Sequence, residues 1–527
     1  MIALWLACTA GNVEDTSAPE LVELAAPRLL RRASLDLRGV LPDVAELAAV
    51  EARPELLDGY LDGYLDDPLV EERLVRLLQD HFQTLIDEFE VKHYDYALSD
   101  DQEFVFDRAV GEEPLRLMAR VFVDDLPWST VVTADWTMAN ETLAAVWPID
   151  YPEGRVGWEV STYTDGRPPA GVLSTNGFWW RYVTNPSNMN RGRAATLSRL
   201  LLCQDILSRP VSLSGTVSLA EDASEALRTN PACVACHAAI EPLAASLFGF
   251  YWFTQYNKAE MTVYHPEREL LGSTSNYLSV PPEYFGVPIN GLAGLGDAIV
   301  DDPRFDRCAV ETASELLWRR DVDEVADFAT VEALRDDFRL SGRSMKQLFR
   351  AVLDTPAYRA GAVTPLADDD VAEREATLRL QSPGQLATSV EALTGFRWTW
   401  EGFDQLDEDS TGFRVLAGGV DGEELTAPQV DPGLTWTLVT QRLAQGAADH
   451  AVSADFAGGG PGLVDPDGDV EPQLETLYWR LVGERPDPDW TTAALALYDE
   501  AAALAGEEAA WTTLITVLLR DPRFLTR

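Results

Sequence analysis

Apolar residues recur at spacings of three and four along most of the chain, and the pattern sets in at Leu21. Between Glu71 and Asp87 it puts Leu74, Val75, Leu78, Phe82, Leu85 and Ile86 on one face, which predicts an amphipathic helix. Leu115–Phe122 and Ala139–Trp147 carry the same periodicity. Strict alternation is scarce, and residues 262–290 are the most strand-like and loop-rich stretch. The pattern therefore predicts a mainly α, multi-domain protein.

One punctuation recurs between these helices. An apolar helix end runs into Asp or Thr, then Pro, then an apolar residue, at Asp67-Pro68, Asp302-Pro303, Thr355-Pro356 and Asp521-Pro522. Asp or Thr can cap the next helix, and Pro fits its first turn because its missing N–H would be unpaired there. These read as four helix–helix corners, with duplication of a helical module as the sharper alternative.

At 527 residues the chain is long enough for several domains. The expected division is a lead and tether at 1–20, an N-terminal helical domain at 21–160, a central domain at 161–365 and a C-terminal helical domain at 366–527. Gly361–Asp370 is the expected linker before the last of these. Val452–Pro472, rich in Gly, Asp and Pro, reads as an exposed loop. Its carboxylates between Asp465 and Glu471 lack the spacing of a calcium loop and read as solvated.

Net charge is −46, yet 46% of residues are hydrophobic, so this is a chain with real cores rather than an acidic tail. The charge argues against nucleic acid and anionic headgroups as partners and favours a basic protein. No apolar run reaches the length of a membrane-spanning helix, so membrane association is expected only through a lipid anchor. The first residues end in Leu6-Ala7-Cys8, which resembles a lipoprotein processing site and makes Cys8 the candidate for lipidation. That stretch is shorter than a signal peptide, so either a start lies upstream or Cys8 is incidental.

The densest chemistry lies at Cys233-Val234-Ala235-Cys236-His237, a CxxCH run. Two thiols three positions apart can form thioethers to the vinyl groups of one porphyrin, and the following histidine can reach the iron. Chance gives this run in about one such sequence in 2000. Thr229 or Asn230 can cap a helix and Pro231 suits its first turn, so both thiols and His237 are expected on one helical face. The other ring nitrogen of His237 needs an acceptor, and the carbonyl of Pro242 is the expected one. Leu243, Leu247, Phe248, Phe250, Trp252 and Phe253 could cover a haem or simply pack the core. Met261 is the first candidate for the distal ligand, ahead of His265 and Met189. Cys203 and Cys308 are expected to form a disulfide, closing a loop of about 105 residues worth about 4–5 kcal/mol in the chain-entropy model. The competing use is a four-thiolate zinc site made by these two with Cys233 and Cys236.

The stretch from Arg228 to His237, with Ile240-Glu241-Pro242-Leu243, resembles the planctomycete-type cytochrome-domain proteins, exported bacterial proteins of largely uncharacterised function. Further segments are similar to that family in the same order: Arg31–Pro42, Thr133–Asn140, Gly171–Thr175, Arg191-Gly192-Arg193 through Cys203, Asp302–Cys308 and Leu518–Arg527. The resemblance implies one c-type-cytochrome-like domain with a covalent haem c and its iron. It also implies a place in the bacterial cell envelope, periplasmic or as an outer-membrane lipoprotein, and a sulfatase-like envelope protein as partner. The expected function is electron transfer to a redox partner, rather than catalysis. The alternatives are a scaffolding surface lipoprotein, and a haem enzyme or sensor should the distal position be open.

Overall fold

The computed structural model describes residues 20–96, 98–208, 229–253, 258–364, 379–408 and 412–527. Cys8 and its lead lie outside the described residues. Helix accounts for 59% of the structure and strand for 6%, in line with the mainly helical expectation.

The helix expected over 71–87 spans Leu69–Phe82. It stops early because Gln83 takes a left-handed backbone with φ 51°. Leu85 and Ile86 remain buried, but from an irregular segment after the helix. Leu115–Phe122 belongs to a longer central helix, Glu103–Val123. Ala139–Trp147 shrinks to the short helix Glu141–Val146, whose start is capped by the Asn140 side chain accepting from Leu143 N–H. Three of the four Asp-Pro and Thr-Pro corners behave as expected; at the fourth, Pro68 stands just before the helix Leu69–Phe82 rather than in its first turn, although Asp67 Oδ1 accepts from Leu69 N–H at 2.9 Å. Asp302, Thr355 and Asp521 each accept a backbone N–H of the following helix, and Pro opens each of those helices.

The expected division at 160/161 falls inside a strand. Glu159–Tyr163 is the middle strand of a three-stranded antiparallel sheet with Thr137–Ala139 and Ile149–Asp150. One apolar cluster takes its members from Leu29 to Tyr358, on both sides of that division, and adds Trp479 from the C-terminal helix Val470–Val482. The start of the expected linker is also ordered: Ala360–Thr364 pairs antiparallel with Glu20–Glu23. Residues 380–525 build a second core of their own. Within it the helix Leu434–Phe456 extends past Val452, so the exposed loop is shorter than the Gly/Asp/Pro composition suggests.

A third cluster forms around the central helix and includes Phe106, Trp147, Trp180, Trp252 and Met261. The short helix Asn176–Arg181 crosses the central helix closely at Gly177, where an added Cβ would meet the Val110 carbonyl oxygen at 2.1 Å. The Gly177 N–H donates to Glu113 Oε2 at 2.8 Å, and Thr137 and Tyr163 hydroxyls donate to Glu113 Oε1, each at 2.8 Å. Helix, sheet and crossing helix thus converge on one buried carboxyl group.

The two cores are joined at Asp36, on the helix Ala26–Arg38. Its carboxylate pairs with the buried Arg527 and accepts from Tyr358 Oη at 2.9 Å and Gln385 Nε2 at 3.2 Å. On the same helix Arg31 donates to the carbonyls of Leu481, Phe524 and Thr526 at 2.5–2.8 Å. Breaking a buried pair leaves a charge without compensation. Asp36→Ala should therefore cost about 3–5 kcal/mol, read as a lower urea midpoint; an unchanged midpoint contradicts this role.

Burial is the largest cause that raises the Glu113 carboxyl from its ordinary value of 4.5 to about 7. Between these values the native state holds a proton that the unfolded chain has released. This group's contribution to stability therefore falls as pH rises through that window. Glu113→Gln, which stays uncharged, should flatten the dependence of the urea midpoint on pH over that range; a wild-type slope contradicts it.

Candidate functional site

The CxxCH run lies on the helix Pro231–Ala245. Pro231 opens it as expected, with the Asn230 carbonyl accepting from Cys233 N–H at 3.0 Å and from Val234 N–H at 2.9 Å. Positions three and four apart share a helical face. Cys233, Cys236 and His237 therefore stand together, and His237 and Glu241 repeat the same offset one turn on. Cys233 and Cys236 are free thiols, each half-buried. The Cys236 thiol lies 3.9 Å from the Ile206 carbonyl, and its side chain packs against the main core.

The acceptor for His237 is Glu241 rather than the Pro242 carbonyl. Nδ1 lies 3.2 Å from Glu241 Oε1. The same oxygen accepts from Arg191 Nη2 at 2.7 Å and Nε at 3.1 Å. Glu241 is buried, whereas the His237 side chain keeps 24% of its exposure. The arginine holds the carboxylate, and the carboxylate sets the ring. That leaves Nε2 as the nitrogen directed away from the pair, the arrangement by which a second partner fixes a ligating histidine's tautomer and raises its basicity.

One neighbouring helix, Arg191–Leu202, braces this site along its whole length. Its first residue holds Glu241. Its third, Arg193, is fully buried and donates to the carbonyls of Phe250 at 2.8 Å, Tyr182 at 2.7 Å and Trp179 at 3.0 Å. Burial lowers the Arg193 guanidinium to about 9. The helix ends at Cys203, which is disulfide-bonded to Cys308 on the helix Pro303–Trp318, with Cα atoms 5.1 Å apart. The expected pairing is therefore present, and it withdraws both cysteines from the alternative zinc set.

The aromatic run after the motif divides. Leu243, Leu247, Phe248 and Phe250 belong to the main core, Trp252 to the third cluster, and Phe253 is 47% exposed. The distal candidates also separate. Met261 is buried in the third cluster, where its carbonyl accepts from Trp180 Nε1 at 3.0 Å. Both His265 ring nitrogens are engaged, Nδ1 with Glu267 at 3.1 Å and Nε2 with the Glu260 carbonyl at 2.9 Å. Met189 is half-buried against the main core, as Cys236 is, and sits two residues before Arg191. Its backbone is left-handed, φ 52°, an unfavourable state for a side chain of this size.

Arg191 and Glu241 are the members of this site that the motif does not announce. Glu241 was findable from the i, i+4 offset to His237. Arg191 was not, because it reaches the site across 50 residues of sequence.

No family model, curated protein or solved structure matches the chain.

Peptide mapping of protein recovered from an oxidising compartment should link Cys203 to Cys308. A link from either to Cys233 or Cys236 contradicts the geometry. Replacing both with serine should lower the free energy of unfolding, by at most about 4–5 kcal/mol in the chain-entropy model.

Proposed function

We propose that Cys233 and Cys236 carry one covalent haem c, with His237 as the proximal iron ligand, and that the protein transfers electrons in the bacterial cell envelope. The observation that carries the reading is the Arg191–Glu241–His237 chain. A half-exposed histidine beside two free thiols on one helical face has its Nδ1 fixed by a carboxylate that is itself fixed by an arginine. A surface histidine with no task would not require that support. When bound, the haem would supply a one-electron couple between Fe(II) and Fe(III).

The residues fit the group in three respects. The thiols are unpaired and accessible, the histidine has one nitrogen turned away from its carboxylate, and Arg193 anchors the chain on the far side of the motif. The Cys203–Cys308 disulfide agrees with an oxidising compartment, where c-type haem is attached. For the distal ligand we favour Met189 over Met261, because Met189 sits two residues before Arg191, which holds Glu241, whereas Met261 is buried in the third cluster. The net charge of −46 supports a basic redox partner, attracted over a range that salt shortens. A sulfatase-like envelope protein is a partner suggested by the resemblance alone.

Protein exported in a host with haem-attachment machinery should show the reduced spectrum of one thioether-linked haem and a reversible one-electron titration. Absence of any haem spectrum contradicts the reading. Met189→Ala should abolish the methionine-to-iron charge-transfer band, while Met261→Ala should keep it; the reverse result returns the ligand to Met261. Glu241→Gln should keep the haem but raise its reduction potential, because the weaker acceptor leaves His237 less basic.

A further inference from the structure

A cleft of about 800 Å³ opens between the two cores. The helices Leu69–Phe82 and Glu103–Val123 form one side, and residues between 382 and 420 form the other. Ten carboxyl side chains and three arginines line it. The three arginines are already used: Arg76 pairs with Glu112 and Asp407, Arg108 with Glu112, and Arg414 with Asp87. At the other end Glu88 pairs with Lys92, and His93 lies against Asp100 and Glu103, yet carboxyl groups still outnumber these partners around Asp101 and Asp107.

Acidity alone would say little in a chain of this charge. Asp107 adds a second observation. It lies on the central helix, is 5% exposed, and its Oδ1 is buried without a hydrogen-bond partner. An acceptor left so costs its desolvation unless a donor reaches it. Burial raises its carboxyl to about 7, with Lys92 and His93 opposing and Glu103 and Glu88 adding to the rise. A donor bearing positive charge would restore the ionised form.

The cleft also has an aromatic wall. Phe104 and Phe403, one from each side, meet at a tilt of 50° with ring centroids 4.3 Å apart. Carboxylates beyond an aromatic face suit a long side chain with an apolar stem and a cationic tip. A bare metal ion fits less well, since the described residues contain no group of three ligands placed to hold one.

We infer that this cleft is a docking site for a basic segment of a partner protein, with an arginine or lysine tip donating to Asp107 and its stem against Phe104 and Phe403. The inference concerns surfaces away from Cys233, Cys236 and His237 and holds whether or not haem is attached.

The test is calorimetric titration of the full-length protein with a tetra-arginine peptide at near-physiological salt. Four variants are compared with the wild type. Asp107→Asn and Glu103→Gln change the cleft. Phe403→Ala removes its wall. Asp499→Asn with Glu500→Gln removes two exposed charges on the helix Pro488–Ala505, outside the cleft.

Binding should weaken about tenfold for Asp107→Asn, the loss of one charge-assisted hydrogen bond. Glu103→Gln and Phe403→Ala should each weaken it severalfold, and the remote pair less than twofold. Equal losses for cleft and remote variants would mean non-specific attraction and overturn the proposal. So would an absence of binding, or displacement of the peptide by Ca²⁺ at a single site. Should Asp107→Asn fail to fold, Glu103→Gln on the exposed rim and Phe403→Ala decide the matter.

Discussion

The architecture depends on a carboxylate that never meets solvent. Asp36 is 1% exposed and faces Arg527, Tyr358 and Gln385, residues that follow it by more than 300 positions. A buried charge is tolerable only when paired and hydrogen-bonded on all sides. The N-terminal helix therefore depends for its buried charge on partners from far along the chain. Among the described residues the two cores exchange only single apolar residues, Trp479 into the first and Leu41 against the second, and they share this polar joint.

The same logic operates at the CxxCH helix on a smaller scale. Arg191 and His237, both partly exposed, meet at the buried carboxylate of Glu241 between them. The helix that starts at Arg191 also ends at the disulfide, so its two termini are fixed by an ion pair and a covalent bond. A histidine presented this way has a defined orientation with one nitrogen free. That is what ligation requires and what core packing does not. The free-thiol pair on the same face makes covalent attachment of a porphyrin the reading with the fewest additional assumptions.

Local chemistry was legible in the sequence where neighbours in the chain are neighbours in space. Pro231 at a helix start, the three capped corners at Asp302, Thr355 and Asp521, and the helical face of Cys233, Cys236 and His237 all follow from offsets of one to four residues. The Cys203–Cys308 pair was reachable by elimination among five cysteines. Long-range partners were not reachable. Nothing in the periodicity tells that Arg191 meets Glu241, or that Arg527 meets Asp36. The strand Glu159–Tyr163, which crosses 160/161, was not legible because it is short with little alternation, and a sheet of three such strands leaves almost no pattern. Leu85 and Ile86 were placed on a helix because apolar spacing continues past Gln83, where the backbone turns. Burial alone cannot distinguish those two cases.

The central claim is covalent attachment at one helical face, and intact-mass measurement tests it most directly. Protein exported alongside the haem-attachment machinery should carry the added mass of one haem, retained after denaturation. Proteolysis should place that mass on the peptide containing Cys233, Cys236 and His237, and it should be absent from the Cys233→Ala, Cys236→Ala variant. A full-length protein of unmodified mass, with both thiols still alkylatable, would contradict the account.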